Sequence, residues 1–261
     1  MKAHGYLYAA LLAAALSSCT VKEDRGPCPC VLDIYLEDSR EHTERLAVSA
    51  WSEDERVFLD RIDTDQYPVT FQKKVPKGFL SVSACGGIGS MTLKGDRLSI
   101  PEGRQCDPVW AYSGEEIDAT GESAEDHVVL HKQYAAIHVR LDSLALAAGN
   151  PVLRAVGNSD GLDIKTLQPT AGSFNCLAEL DADLTYIFNV PRQHDDSLIL
   201  EVYLDGALSR IVQIGELIAN AGYSWTKEDL DDIYLSLGVM ASGSAGISVN
   251  GWDDESLTFK L

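Results

Sequence analysis

Cys19 is the residue of this 261-residue chain whose type and position most directly indicate a chemical reaction. It follows an apolar run, Tyr6–Leu16, and two serines, and Lys2 precedes the run. A basic start, a short apolar stretch and a small-residue exit are typical of a signal peptide, whereas a membrane-spanning helix needs about 20 apolar residues. A cysteine thiol at this place accepts acyl chains in bacterial lipoproteins, and each buried methylene adds about 0.8 kcal/mol of membrane affinity. We therefore predict a lipoprotein signal peptide over residues 1–18, cleavage before Cys19, and lipidation of Cys19.

Five further cysteines could form disulfides or bind a metal: Cys28, Cys30, Cys85, Cys106 and Cys176. An exported protein can keep disulfides, but an odd number leaves at least one thiol unpaired, and the connectivity cannot be deduced from spacing. Only Cys28 and Cys30 lie close together, and no second cysteine or histidine pair stands at ligand spacing. We predict no metal site.

Other residues with catalytic or ligand chemistry lack the pattern that such chemistry needs. The nucleophile elbow, the zinc-protease helix, the P-loop and the dinucleotide fingerprint are all missing from the sequence. Glycine-rich Gly86–Ser90 lacks the lysine and following helix of a phosphate site, so it is interpreted as a loop. His127, His131 and His138 have no defined carboxylate partner for a triad. We predict a protein that is not an enzyme and needs no cofactor.

Two acidic runs and four tryptophans leave further hypotheses open. The runs, Asp229–Asp232 and Asp253–Glu255, could supply calcium ligands but lack EF-hand spacing, so solvated turns explain them better. The tryptophans, which are Trp51, Trp110, Trp225 and Trp252, could stack on sugars. Because they are far apart and lie beside strand patterns, packing in a core or at its rim is the preferred interpretation.

Charge limits the classes of partner. Acidic residues outnumber basic ones 40 to 21, for a net charge of −19. This excess of acid disfavours nucleic acid as a partner, because phosphate binding depends on clustered lysine and arginine. An anionic membrane surface would not attract this chain, so the lipid must provide the attachment. Residues 19–27 are charged, contain few apolar residues and are predicted to be a solvated tether.

Alternation with a period of two dominates the rest of the chain and predicts strands that have one buried face. Clear examples are Leu32–Leu36, Ile137–Leu141, Leu198–Leu204 and Ile233–Val239. Turn residues such as Pro76–Gly78 and Asp205–Gly206 separate the runs. Many short strands with polar turns favour an all-β fold of antiparallel sandwiches.

The length of the mature chain fits two domains, and little of it is predicted to be helical. A shift to polar composition near residue 126 predicts an N-terminal sandwich over 28–125 and a C-terminal sandwich over 126–261. One helix is predicted at Ile214–Ala221, where Gly222 is a C-terminal stop. A second candidate is a short turn at Thr226–Asp232, with Thr226 as its cap.

Several C-terminal motifs resemble a known family. They are Phe188–Arg192, Gly222–Trp225, Leu230–Asp232 and Val249–Trp252, and weaker similarities occur at Cys28–Pro29, Val75–Phe79 and Val128–Leu141. Together these segments resemble the FimB-type fimbrial anchor and accessory subunits of Bacteroidales, which are fimbrillin-like lipoproteins of strand-exchange pili. The resemblance spans essentially the whole mature chain.

The resemblance implies two tandem transthyretin-like β-sandwich domains, an outer-membrane lipoprotein, and assembly with a fimbrial stalk subunit by strand addition. It also implies protease cleavage after an arginine in stalk subunits, for which Arg25, Arg40 and Arg45 are candidates here. Surface arginines are the preferred interpretation, because the chain resembles an anchor more than a stalk. Asp142–Leu144 and Asp196–Leu198 are similar to the O-glycosylation triplet of the phylum.

Three functions remain open at this point. The first is a lipid-anchored fimbrial subunit that attaches a fimbria to the outer membrane or limits its length. The second is a surface glycan-binding lipoprotein, and the third is a tip adhesin of the same family. Two or more exposed tryptophans on one face would favour glycan binding, whereas separate buried tryptophans would favour the fimbrial role.

Overall fold

The computed structural model describes residues 28–37, 39–67, 69–141 and 150–237, and the backbone of two further strands at 244–249 and 257–260. Strands make up most of this part of the chain, so the predicted all-β sandwich fold with little helix is confirmed. The predicted signal peptide, the tether and Cys19 lie outside the described residues.

The first half of the chain forms two facing sheets and a short hairpin that joins a sheet of the second half. Its elements are β1 (Cys30–Tyr35), α1 (Ser39–His42), β2 (Arg45–Ser52), β3 (Glu55–Asp63), β4 (Thr70–Val75), β5 (Phe79–Gly86), β6 (Thr92–Lys94), β7 (Arg97–Ser99), β8 (Trp110–Asp118), β9 (Ser123–His127) and β10 (His131–Lys132). One sheet has the order β4-β1-β9 and the other has the order β10-β8-β5-β2-β3. Alternate apolar residues of both sheets, such as Leu32, Ile34 and Val48, form a common core.

The second half forms a larger pair of sheets. Its elements are β11 (Tyr134–Leu141), β12 (Pro151–Asp163), β13 (Pro169–Leu177), β14 (Glu179–Leu180), β15 (Thr185–Pro191), β16 (Ile199–Leu204), β17 (Ala207–Val212), α2 (Ile214–Asn220), β18 (Ile233–Leu237), β19 (Ser244–Val249) and β20 (Leu257–Lys260). One sheet has the order β14-β15-β11-β18-β19-β20. The other has the order β17-β16-β12-β7-β6, with β13 also paired to β12. A second core, including Ile137, Leu153 and Phe188, belongs to these sheets.

The same seven-strand order occurs in both halves. In the first half, β3-β2-β5-β8 faces β4-β1-β9; in the second half, β13-β12-β16-β17 faces β15-β11-β18. The first strand of each set is antiparallel to the fourth and parallel to the last. Each predicted antiparallel sandwich therefore contains one parallel pair.

The strand pairing does not divide the chain at the predicted boundary between residues 125 and 126. That boundary falls inside β9, which pairs with β1, and the next strand, β10, pairs with β8. The β6–β7 hairpin, predicted to belong to the N-terminal domain, instead pairs with β12. The sequence of β9 is polar on both faces, so no apolar run identifies it as a strand of the first half.

The helix predicted at Ile214–Ala221 is confirmed, and the short turn predicted at Thr226–Asp232 contains no helix. α2 covers Ile214–Asn220, and Gly222 follows with a φ of 86°, a left-handed conformation that favours glycine. Residues 226–232 form turns and bends without a helix. Their carboxylates are bound to strand backbone instead: Asp229 accepts the N–H of Lys132, and Asp232 accepts the N–H of Ala136.

Candidate functional site: two strand edges and a cleft

The five cysteines of the described chain are all free thiols. Cys28 is exposed, whereas Cys30, Cys85, Cys106 and Cys176 are buried. Burial raises the pKa of the Cys85 and Cys176 thiols to about 12, because the thiolate would lose its hydration. The buried thiols therefore behave as small core side chains rather than as nucleophiles.

The three histidines have different partners and form no common site. His127 stacks on Tyr35 with a centroid distance of 4.4 Å, and His138 stacks on Tyr234 at 4.5 Å. The Nδ1 atom of His131 lies 3.2 Å from a carboxylate oxygen of Asp229. Among the described residues, no group of three or more histidine, cysteine, aspartate or glutamate side chains could hold a metal ion.

The first acidic run binds its own chain. Besides the backbone bonds of Asp229 and Asp232, Asp232 lies 2.6 Å from the Nζ atom of Lys132, and Asp231 accepts from Lys227. Asp229 and Asp232 therefore attach the loop over residues 226–232 to β10 and β11, whereas Asp231 binds within the loop. The second run, Asp253–Glu255, lies outside the described residues.

The tryptophans of the described chain are separate. Trp51 and Trp225 are only 5% and 6% exposed. Trp110 is half-buried and stacks on His42 with a centroid distance of 3.9 Å. Trp252 lies outside the described residues. Within residues 28–237 as described, the structure therefore presents no exposed tryptophan platform.

The remaining predicted sites are on the surface or outside the described chain. Arg40 is paired with Asp65, and Arg45 with Asp63 at 3.3 Å, in keeping with surface arginines. Ser197 of the second glycosylation triplet is exposed. Arg25 and the triplet at residues 142–144 lie outside the described residues.

The glycine-rich loop binds a carboxylate of its own chain. Asp107 accepts hydrogen bonds from the N–H groups of Gly89 and Met91, at 2.9 and 2.7 Å, and from the Ser90 hydroxyl at 3.1 Å. Gly87 has a φ of 74°, and a Cβ atom there would lie 2.1 Å from the carbonyl oxygen of Pro108. The sequence correctly indicated a loop, but it did not indicate Asp107 as the group that orders it.

This loop is one wall of a cleft of about 890 Å³. The opposite wall is formed by β2 and β3, which contribute Arg45, Ala47 and Arg61, and edge strand β6 contributes Leu93. The cleft thus combines apolar side chains, charged groups and residues of two edge strands, β3 and β6.

β3 and β4 lie beside this cleft, on one side of the first pair of sheets. The chain crosses from one sheet to the other between these two strands. Each is the last strand of its sheet. The side chains of Phe58 and Phe71 meet at a centroid distance of 6.2 Å, and Lys73 pairs with Asp60. Side chains close this side, while the outer backbone groups of both strands face away from the sheets. Unpaired edge groups of this kind can accept an extended segment of another chain.

The fold and this edge define a class of protein: an all-β sandwich with a repeated seven-strand order, in which β3 and β4 are edge strands among the described residues of the first half. No family model matches the sequence, and no curated protein matches it. Among the described residues, no helix is long and apolar enough to cross a membrane.

Several solved structures with a similar fold are from species of Bacteroides and Porphyromonas. A candidate polysaccharide-binding protein of Bacteroides thetaiotaomicron matches with a TM-score of 0.63 at 11% identity, over 89% of this chain and 98% of that one. The fimbrial anchor protein Mfa2 of Porphyromonas gingivalis matches with a TM-score of 0.62 at 13% identity, over 86% of this chain and 98% of that one. A candidate adhesin of Bacteroides ovatus gives 0.61 at 11% identity, over 92% and 97%. The resemblance seen in the sequence is thereby confirmed at the level of the fold.

Proposed function

We propose that this protein is a lipid-anchored fimbrial subunit that attaches a fimbria to the outer membrane or limits its length. The observation that carries the proposal is the fold shared with a fimbrial anchor protein over 98% of that protein's chain. The role needs no catalysis and no cofactor. Its partners are a fimbrial stalk subunit and, through the lipid on Cys19, the outer membrane.

The position of β1 supports a mechanical role for the N-terminus. The predicted tether, residues 19–27, leads into β1, which begins at Cys30. β1 is a central strand, antiparallel to β4 on one side and parallel to β9 on the other. Tension along the tether would therefore load two rows of backbone hydrogen bonds in parallel, which resists extraction of the strand better than a single row.

Strand addition supplies the other half of the proposed role. An edge strand binds an extended segment through main-chain hydrogen bonds, and alternate side-chain positions give specificity. The described chain provides such edges in β3 and β4. The protein would then connect a lipid at one end to a stalk subunit at a sheet edge.

Glycan binding is the alternative from another class, and a structural neighbour is a candidate polysaccharide-binding protein. The tryptophans favour the fimbrial role, because Trp51 and Trp225 are buried in different places. A tip adhesin of the same family would differ from an anchor mainly in its ligand surface.

Mass spectrometry of the mature N-terminus tests the proposal. The expected product begins at Cys19 and carries acyl chains, while the exposed Cys28 in the same protein carries none and serves as an internal control. A mature terminus that follows Arg25, Arg40 or Arg45 would contradict an anchor and would indicate a processed, polymerising subunit.

A further inference from the structure

The repeated strand order allows corresponding edges in the two halves to be compared. β15 corresponds to β4, since each is the fourth strand of its set and antiparallel to the first. In an antiparallel strand, every second residue directs its backbone N–H and C=O away from the partner strand. Along β15, the odd-numbered residues are those whose backbone groups point away from β11; they are called the outward residues below. The chain itself covers all of these groups.

Two local contacts cover the ends of β15. At one end, the N–H of Thr185 donates to the carboxylate of Asp181, and the Thr185 carbonyl accepts the N–H of Asp181, both at 2.9 Å. At the other end, Pro191 has no N–H, and its carbonyl accepts the side-chain amide of Gln193 at 2.8 Å.

A distant segment covers the middle of β15. Ile187 pairs with β14, and the next outward residue, Asn189, is bonded by the segment Gly103–Cys106. The Asn189 N–H donates to the Gln105 side-chain oxygen at 3.0 Å, and the Asn189 carbonyl accepts the N–H of Cys106 at 3.1 Å.

The same segment reaches the facing edge strand, β13. Gly103 forms a parallel bridge with Cys176, and the Gln105 amide donates to the Leu177 carbonyl at 3.5 Å. This short piece of chain thus lies between the β13 and β15 edges of the second half and bonds to both.

At the corresponding edge in the first half, none of the described residues provides such a cover. The N–H of Leu36 donates to the carbonyl of Val69 at 2.7 Å, which makes these two a hydrogen-bonded pair at the end of the β1–β4 ladder. Because every second residue from Val69 onwards bonds to β1, the residues between them, Thr70, Gln72 and Lys74, direct their backbone N–H and C=O groups away from β1. Within the described ranges, no residue forms a hydrogen bond to the backbone N–H or C=O of these three.

We propose that the outer edge of β4 is the acceptor site for an extended segment of the fimbrial stalk subunit. On β4, the stalk segment would bond to the outward backbone groups in the way that Gly103–Cys106 bonds to those of β15. The inference rests on the proposed function and adds the site and the chemistry of the contact to it. Three outward residues, at two-residue spacing, give room for a short strand of main-chain hydrogen bonds.

The side chains at this edge indicate the character of the occupant. Gln72 and Lys74 are exposed, and Lys74 has no ion-pair partner among the described residues, so a carboxylate on the incoming segment fits opposite it. A second copy of this chain is a poor occupant, because two molecules of net charge −19 repel each other on approach. The stalk segment is therefore expected to be extended and locally acidic.

The test compares two substitutions at the same outward position. Gln72→Pro removes the outward N–H but is compatible with an edge strand, whereas Gln72→Thr keeps the N–H and is the matched control. Both lose the contact between the Gln72 amide and Asp33. The mature, lipidated full-length protein in detergent is immobilised, and fimbriae purified from cells that lack this gene are the probe. Lys74→Pro and Lys74→Thr provide a second pair if Gln72→Pro does not fold, as judged by circular dichroism.

The site predicts that Gln72→Pro weakens binding of the fimbriae roughly tenfold or more, while Gln72→Thr stays within about twofold of the wild type. Equal binding by the proline and threonine variants would overturn the site but leave the proposed function standing. No binding by the wild type would instead count against the proposed function itself. Self-association of the wild type that Gln72→Pro abolishes would identify a second copy as the occupant and overturn the proposal.

Discussion

Burial divides the cysteines of the described chain into one reactive thiol and four inert ones. Cys28 is exposed, whereas Cys85, Cys106 and Cys176 lie in the core of the second half and Cys30 lies in that of the first. Sequence spacing could not predict this division, because the relevant burial comes from strands that are distant along the chain.

We predict that N-ethylmaleimide modifies Cys28 in the folded protein near pH 8 and leaves the four buried thiols unmodified until the chain unfolds. The raised pKa of Cys85 and Cys176, about 12, adds to their inaccessibility because the thiolate is the reacting species. Mass spectrometry of peptides labelled with and without urea measures this. Rapid modification of Cys106 in the native protein would contradict the described core.

Two aspartates near the β8–β9 turn have pKa values shifted in opposite directions. Burial raises the pKa of Asp126 above its ordinary value of 3.8, although hydrogen bonds from Tyr112 and from the His127 N–H oppose the shift. The hydroxyl and N–H of Thr120 donate to Asp118 and lower the pKa of that carboxyl.

These shifts predict opposite pH dependences for two asparagine variants. Because the pKa of Asp126 is raised in the folded state, ionisation of Asp126 lowers the free energy of unfolding of the wild type as the pH rises. Asp126→Asn lacks this loss, so its free energy of unfolding should increase relative to that of the wild type between about pH 3 and about pH 7. Because the pKa of Asp118 is lowered in the folded state, its stabilising contribution is present above its ordinary pKa and is lost as the pH falls. Asp118→Asn lacks this contribution, so its free energy of unfolding should decrease relative to that of the wild type as the pH rises over the same interval. Urea unfolding of both variants across this range measures the sign. The same slope in the two variants would contradict the described environments.

At the scale of elements, the β6–β7 hairpin shows where sequence patterns are insufficient. Strong alternation correctly predicted β1, β11 and β16, because each has one face in a core. β6 and β7 have three residues each, too few to show a period, and they pair with β12 more than fifty residues later. The acceptor edge itself could not be predicted, because whether an edge is covered depends on such distant segments.

Gly161 is the close-contact point of this hairpin, and its substitution tests the pairing. A Cβ atom at Gly161 would lie 1.9 Å from the carbonyl oxygen of Leu98, so Gly161→Ala must displace β7. We expect a loss of roughly 2 kcal/mol in the free energy of unfolding, typical of overpacking. Gly121→Ala is the control, because its nearest atom would lie at an ordinary 3.5 Å. Thermal unfolding and hydrogen exchange in β6 and β7 measure the effect; equal stability of the two variants would contradict the hairpin's position.

At the scale of the whole molecule, the repeated seven-strand order supports our proposal of two tandem sandwich domains. The sequence predicted two units from length and composition alone, but it did not show the repeat, because equivalent strands such as β4 and β15 share a position and not a sequence. The asymmetry between the repeats is functional in our account. In the second half, Gly103–Cys106 and β14 cover β15, whereas in the first half no described segment covers β4, and the predicted lipid tether leads into β1.

The central claim, that a lipid on Cys19 attaches fimbriae to the cell, is tested most directly by the partition of fimbriae between cells and medium. Cells that carry Cys19→Ala in place of the wild-type protein are compared with cells that carry Cys28→Ala, which removes an exposed thiol but keeps the lipidation site. We predict that fimbriae are shed into the medium, or change in length, only with Cys19→Ala. Fimbriae that stay attached and unchanged in length on Cys19→Ala cells would contradict the account.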